Sequence, residues 1–315
     1  MDSRLGQATD AAPDLAEVRI GGGGAPEVEE GRTATLWGDV WRKLRRDPRF
    51  IIAAGVIAVF CLMGVAPSLF TRADPEQCNI LNTVLRPSAK HWFGTDILGC
   101  DYYARVIYGA RTSLEVGFVV SGFSILIAVV LGSAAGYFGG AADMVISRFA
   151  DVWFSIPTTL GAILLLELTH GGGPFTLSLV LVLFGWPDLT RLIRSYIVSG
   201  KERGYVRAAR GLGASDRRII LRHILPNGMA PVIVFAAYGV GAAIATEAAL
   251  TFLGVGLRLP TISWGIEIST AEGRILQDPH LLFFPTLFLC LLVGAFVLLG
   301  ETLRDALDPK LFGHG

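Results

Sequence analysis

Few residues of this 315-residue chain are placed to do covalent or metal chemistry. The five histidines, His91, His170, His223, His280 and His314, are scattered, and no H-E-x-x-H helix or paired cysteine motif offers zinc a ligand set. No catalytic residue and no metal site is expected, which argues against a metalloprotease. The phosphate loop G-x-x-x-x-G-K-[ST] is missing too: the glycine run 21–24 lacks the lysine and the strand-to-helix setting that a phosphate cradle needs. Thiols and carboxylates in apolar surroundings remain. Cys78 and Cys100 stand in a polar stretch, Cys61 and Cys290 in hydrophobic ones. In an oxidising compartment the first two can close a disulfide, with two free thiols as the alternative. Asp151 and Glu247 interrupt hydrophobic stretches. Charge there either lines a polar path or is hydrogen-bonded by a neighbouring helix, and the packing role is favoured because buried carboxylates usually find partners.

The elements that must hold these groups are membrane helices. Hydrophobic residues make up 52% of the chain and charged ones 17%, with a mean hydropathy of +0.54, outside the range of soluble domains. A bilayer core takes about 20 apolar helical residues, and six stretches qualify: 50–69, 114–137, 145–168, 175–193, 229–252 and 281–302. The fold class expected is all-α, integral to the membrane, with six transmembrane helices. Pro157 and Pro187 fall within or near the ends of two spans, which membrane helices tolerate. Gly132, Ala134, Ala135 and Gly136 predict close helix packing.

Lysine and arginine set the orientation. Arg42, Lys43, Arg45, Arg46 and Arg49 precede the first span, and nine basic residues from Arg191 to Arg222 crowd the link between the fourth and fifth. Both termini and that link are therefore expected in the cytoplasm, with 70–113 and 253–280 outside. Arg72, Arg86, Lys90, Arg105 and Arg111 in the outer loop are nearly cancelled by Asp74, Glu76, Asp96 and Asp101. Trp37 and Trp41 beside the first basic cluster predict an interfacial helix. The net charge of zero gives no attraction to nucleic acid. Four regions follow: an acidic, glycine-rich tail over 1–36, expected to be disordered; the interfacial helix, first span and outer loop over 37–112; the membrane core over 113–302, with the basic link at 201–227; and a C-terminal tail over 303–315.

That link is more than a positive loop. Residues 205–214 favour a short helix, Gly211 and Gly213 interrupt it, and 214–225 resume as a second helix with Ser215 at its N-cap and Pro226 and Asn227 at its end. Charge alone does not explain this ordering of small, glycine and proline positions.

The segment resembles the E-A-A-x3-G-x9-I-x-L-P loop of ABC importer permeases. Arg207-Ala208-Ala209 is followed at the right spacing by Gly213 and Leu225-Pro226, with Arg207 in place of the glutamate and His223 in place of the isoleucine. Three further runs are similar to the C-type permeases of peptide and nickel importers: His91-Trp92-Phe93-Gly94-Thr95-Asp96 through Ser113-Leu114, Glu247-Ala248-Ala249-Leu250 through Gly256 with Ser263-Trp264-Gly265, and Thr302 to Pro309. Cys100 replaces the arginine of the family's GRD run. The resemblance implies a type I importer transmembrane domain in a prokaryotic inner membrane, embedded in lipid. Its partners would be a second homologous permease, two ATPases and an extracytoplasmic solute-binding protein. ATP and Mg would be bound by the ATPases, with no cofactor in this chain. The ATPase contact would fall on Tyr205, Val206, Arg207, Ala208, Ala209, Gly211, Gly213, Ala214, Leu225 and Pro226. The cargo implied is a di- or oligopeptide, with nickel or another small solute as the near alternative and a channel or scaffold subunit without ATP coupling as the distant one.

Overall fold

The computed structural model describes residues 36–169 and 172–307. The acidic tail, His170, His314 and the Asp308-Pro309 ending lie outside these residues. The chain divides into two units, Met1–Asp39 and Val40–Gly315; of the first, only the opening residues of helix α1 (Leu36–Leu44) are described.

Two of the long helices start where an aspartate side chain takes up a free amide. Asp47 accepts from the Arg49 amide at 2.8 Å and Pro48 opens α2 (Pro48–Val65), a cap followed by a residue that has no amide to lose. Asp101 likewise accepts from the Ala104 amide at 2.9 Å to open α3 (Tyr102–Phe138). At 37 residues α3 outruns the predicted span by a dozen residues at its start, because 102–113 are too polar to register as membrane yet continue the same helix. Gly139 and Gly140, with φ of +65° and +53°, end it, a conformation costly for residues with a Cβ.

The predicted third span is not one helix. It is two, α4 (Gly140–Phe154) and α5 (Thr158–Leu168), bent by 83° at a short break. Pro157 has no amide and pushes Ile156 out of the helical region, so the chain turns there instead of continuing. α6 (Pro174–Lys201) does run through its own Pro187. The short α7 (Gly204–Gly211) and α8 (Asp216–Arg218) follow, then a π-helical stretch Ile219–Ile224, α9 (Leu225–Phe252), α10 (Trp264–Ala271) and α11 (Pro279–Leu307). Among the described residues, five helices are long and apolar enough to cross a membrane, six if the bent pair is one span.

A second correction concerns Pro226, expected to end a helix. The chain instead runs helically from Asp216 to Phe252. The wide π turn just before Pro226 makes room for the ring, and the Asn227 amide group donates 2.7 Å to the His223 carbonyl. Ser215 is at the predicted N-cap position, but its hydroxyl makes no capping bond.

Glycines set how close the helices come. A Cβ on Gly132 would lie 2.7 Å from the Thr190 carbonyl, and one on Gly136 2.8 Å from that of Arg194, so α3 and α6 run parallel with backbones nearly touching. Val240 and Ile244 of α9 fill the notch at Gly117, and α11 approaches Gly241 of α9 through Phe296. These contacts bring the start of α2 and α9 and the end of α3, α6 and α11 to one end of the bundle, here the basic end. The segments 66–101 and 253–278 form the opposite, loop end. Val40 and Leu44 of α1 pack on Ala306 and Leu303 at the basic end while Trp41 stays 58% exposed, edge-on to Phe50. Trp37's side chain lies outside the description.

Candidate functional site

At the basic end, α7 is built to present a firm outer face. Val206 is its peg: fully buried, it sits among Ile193, Ile197, Ile219, Ile224 and Val232. Behind it the helix closes with a double bond pattern. The Gly213 amide donates to the Arg210 carbonyl at 3.0 Å and the Ala214 amide to that of Ala209 at 3.1 Å, with Gly213 at φ +81°. That is the Schellman closure, and it is why the segment needs glycine at 213. Arg207, Ala208, Gly211 and Gly213 face solvent, Tyr205 is 39% exposed, and Ala209 and Ala214 are half-buried. Leu212, at the tip, is 89% exposed. Sequence reasoning passed over this leucine; only its place after the helix, beside the glycine that closes it, turns it outward. The segment is tied to the end of α3 by polar groups: Lys201 donates to the Gly136 carbonyl at 3.1 Å, the Tyr137 hydroxyl to Asp216, and Arg210 to Tyr137 at 3.4 Å.

From this face a groove runs inward between α6 and α9. Three cavities of about 420, 490 and 310 Å³ share walls. Leu192 and Tyr196 line the first two, Phe235 and Tyr238 the second and third. Arg203 and Tyr205 stand at its mouth, Arg304 further in, and Asp188 with Ser121, Ser124, Thr158 and Thr246 in the innermost part.

The loop end is locked. Cys78 and Cys100 are joined in a disulfide with Cα atoms 4.0 Å apart, at an isolated antiparallel bridge. A Cβ on Gly99 would overlap the Asn79 carbonyl at 1.9 Å. Arg105 donates to Glu267 at 2.8 Å and lies 3.3 Å from Asp96, all three buried. Burial pushes the Glu267 carboxyl up to about 7, with Arg105 opposing it. Nearby, the hydroxyls of Ser113, Thr251 and Ser263 donate to the buried Glu247 carboxylate at 3.1–3.2 Å. Trp264 Nε1 donates to the Val106 carbonyl at 2.8 Å, fastening α10 to α3.

Known proteins agree with this architecture. Residues 128–313 match the family described as binding-protein-dependent transport system inner membrane component, and 35–87 match the N-terminal TM domain of oligopeptide transport permease C. The oligopeptide transport system permease protein OppC of Bacillus subtilis is 35% identical over 95% of this chain and 97% of its own. This chain belongs to that permease family. The dipeptide permease DppC of Alkalihalophilus pseudofirmus is 37% identical over 91% and 94% of the two chains, and the glutathione permease GsiD of Pectobacterium atrosepticum 35% over 91% and 95%. An inward-facing form of the MetNI methionine ABC transporter shares the fold, with a TM-score of 0.52 at 18% identity over 64% of the permease and 96% of that chain.

The permease separates the two carboxylates singled out from its sequence. Glu247 is fully buried and spent on three hydroxyls. Asp151 is not buried: half-exposed on α4, it accepts from Arg191 of α6 at 2.9 Å and lies 3.9 Å from Arg148. Hydropathy put Asp151 inside a span, but the break after α4 leaves it on an open helix face. Asp188, also missed, lies inside the predicted span 175–193, and only the packing of α3, α6 and α9 shows that it lines the groove.

Proposed function

We propose that this permease is one of two membrane subunits of an ATP-driven importer of di- or oligopeptides in a prokaryotic inner membrane. The basic end faces the cytoplasm with both termini, and the loop end faces out toward a solute-binding protein. Two ATPases bind below, one of them receiving α7 in a groove, and all nucleotide chemistry takes place there. The observation that carries this reading is α7 itself, a helix pegged by Val206, closed by Gly213 and offering Ala208 and Leu212 outward at the mouth of the α6–α9 groove. A helix pegged and closed in this way transmits a push where a slack loop would absorb it. The positive-inside bias supports the orientation, and the names of the relatives, which act on oligopeptides, dipeptides and glutathione, support the cargo.

Purification of the permease with its neighbours tests the reading. Replacing Ala209 by glutamate or Gly213 by aspartate should release the ATPase while the second permease stays bound. Retained ATPase and full ATP-driven uptake in both variants would overturn it.

A further inference from the structure

Asp188 stands midway along α6, exposed, with no ion pair among the described residues. A carboxylate at that depth is costly against lipid tails and is nearly always turned to protein or water, so this face of α6 borders water or a counter-charge. It is the only charged group among the described residues lining the innermost cavity, about 310 Å³, where Ser121, Ser124, Thr158, Thr246 and Tyr238 supply hydroxyls. One of these is spare: Ser124 is 3% exposed and its Oγ has no partner among the described residues. It reaches α6 because residue 185, one turn before Asp188, is glycine; a Cβ there would meet that oxygen at 2.8 Å. A carboxylate with surrounding hydroxyl oxygens is an acceptor set for a group with several N–H donors and positive charge.

We propose that Asp188 and these hydroxyls form a transient intramembrane site for the protonated amino group of the cargo. The site rests on the peptide reading given above. Its specificity is for the free amine: an acylated amine has neither the charge nor the donors to replace water there. Further toward the basic end the groove offers Arg304, so a zwitterion passing inward meets an anion first and a cation second.

The test uses the complete transporter, both permeases with ATPases and binding protein, in proteoliposomes, with trialanine and N-acetyl-trialanine as probes. Asp188→Asn should lower trialanine uptake about ten-fold, the loss of one charge-assisted contact, change N-acetyl-trialanine less than about two-fold, and be rescued by Asp188→Glu. A second readout does not need transport. With Cys61 and Cys290 replaced by serine, a cysteine at Ala242 in the same cavity should react faster with a cationic than an anionic thiosulfonate, and Asp188→Asn should erase that preference. Equal loss of both peptides, an unaltered reagent preference, or release of the second permease by Asp188→Asn, which would mark an interface ion pair, overturns the site alone. A wild-type complex that assembles and hydrolyses ATP but takes up neither peptide overturns the cargo reading, and the amine site with it.

Discussion

The two ends of the permease are held by different physics. The loop end is fixed by interactions that are buried, charged or covalent: the Arg105, Asp96 and Glu267 cluster, the Glu247 carboxylate under three hydroxyls, and the Cys78–Cys100 bridge. At the basic end α7 is seated by one buried residue of its own, Val206, and by polar ties near the surface. A buried charge network comes apart only at high cost, whereas a small apolar contact with screened surface bonds can shift and reform. On the importer reading proposed above, the contrast makes the loop end the anchor and α7, firm in itself, the part displaced as a body.

The sharpest way to break that contrast is at the anchor. Arg105→Ala leaves Asp96 and Glu267 buried with no counter-charge, and should cost about 3–5 kcal/mol of stability, the usual penalty for removing one side of a buried ion cluster; thermal unfolding of the detergent-solubilised permease would measure it. Replacing Cys78 and Cys100 together by serine opens a loop with a sequence separation of 22 and should cost about 3 kcal/mol, read in the same assay and mimicked by reductant. At the moving end Val206→Ala should cost about 1–2 kcal/mol in stability, yet reduce ATP-driven uptake more than either anchor variant that still folds. Leu212→Asp, at a tip 89% exposed, should leave stability unchanged within about 0.5 kcal/mol while lowering ATPase retention on co-purification. Were Val206→Ala to match Arg105→Ala in stability loss, the two ends would not differ as described.

Much of the basic end was legible in sequence because its determinants are local. Gly213 closes α7, its own amide donating to the carbonyl three residues back while the Ala214 amide donates to the one five residues before it, and Ala208, Ala209 and Gly211 sit where a short helix with a small outer face requires them. The error at Pro226 was also local: proline reads as a stop unless a widened turn precedes it, and Ile219–Ile224 carries no residue pattern that announces one. The groove was not legible, since its wall alternates residues from α3, α5, α6 and α9.

By itself the sequence determined how many apolar segments seek the bilayer, which links carry the positive charge, and where the short helix between α6 and α9 begins and closes. Hydropathy, charge bias and capping all act over one segment at a time, so a linear reading recovers them. Tertiary structure alone decided which charges meet. Arg105 finds Glu267 across 162 positions and Ser113 finds Glu247 across 134, while Asp151 and Asp188, alike in the string, end respectively in a surface ion pair and in a groove wall with no ion pair among the described residues. A buried charge is stable only with a partner in reach, and reach is set by how glycine-lined helices pack.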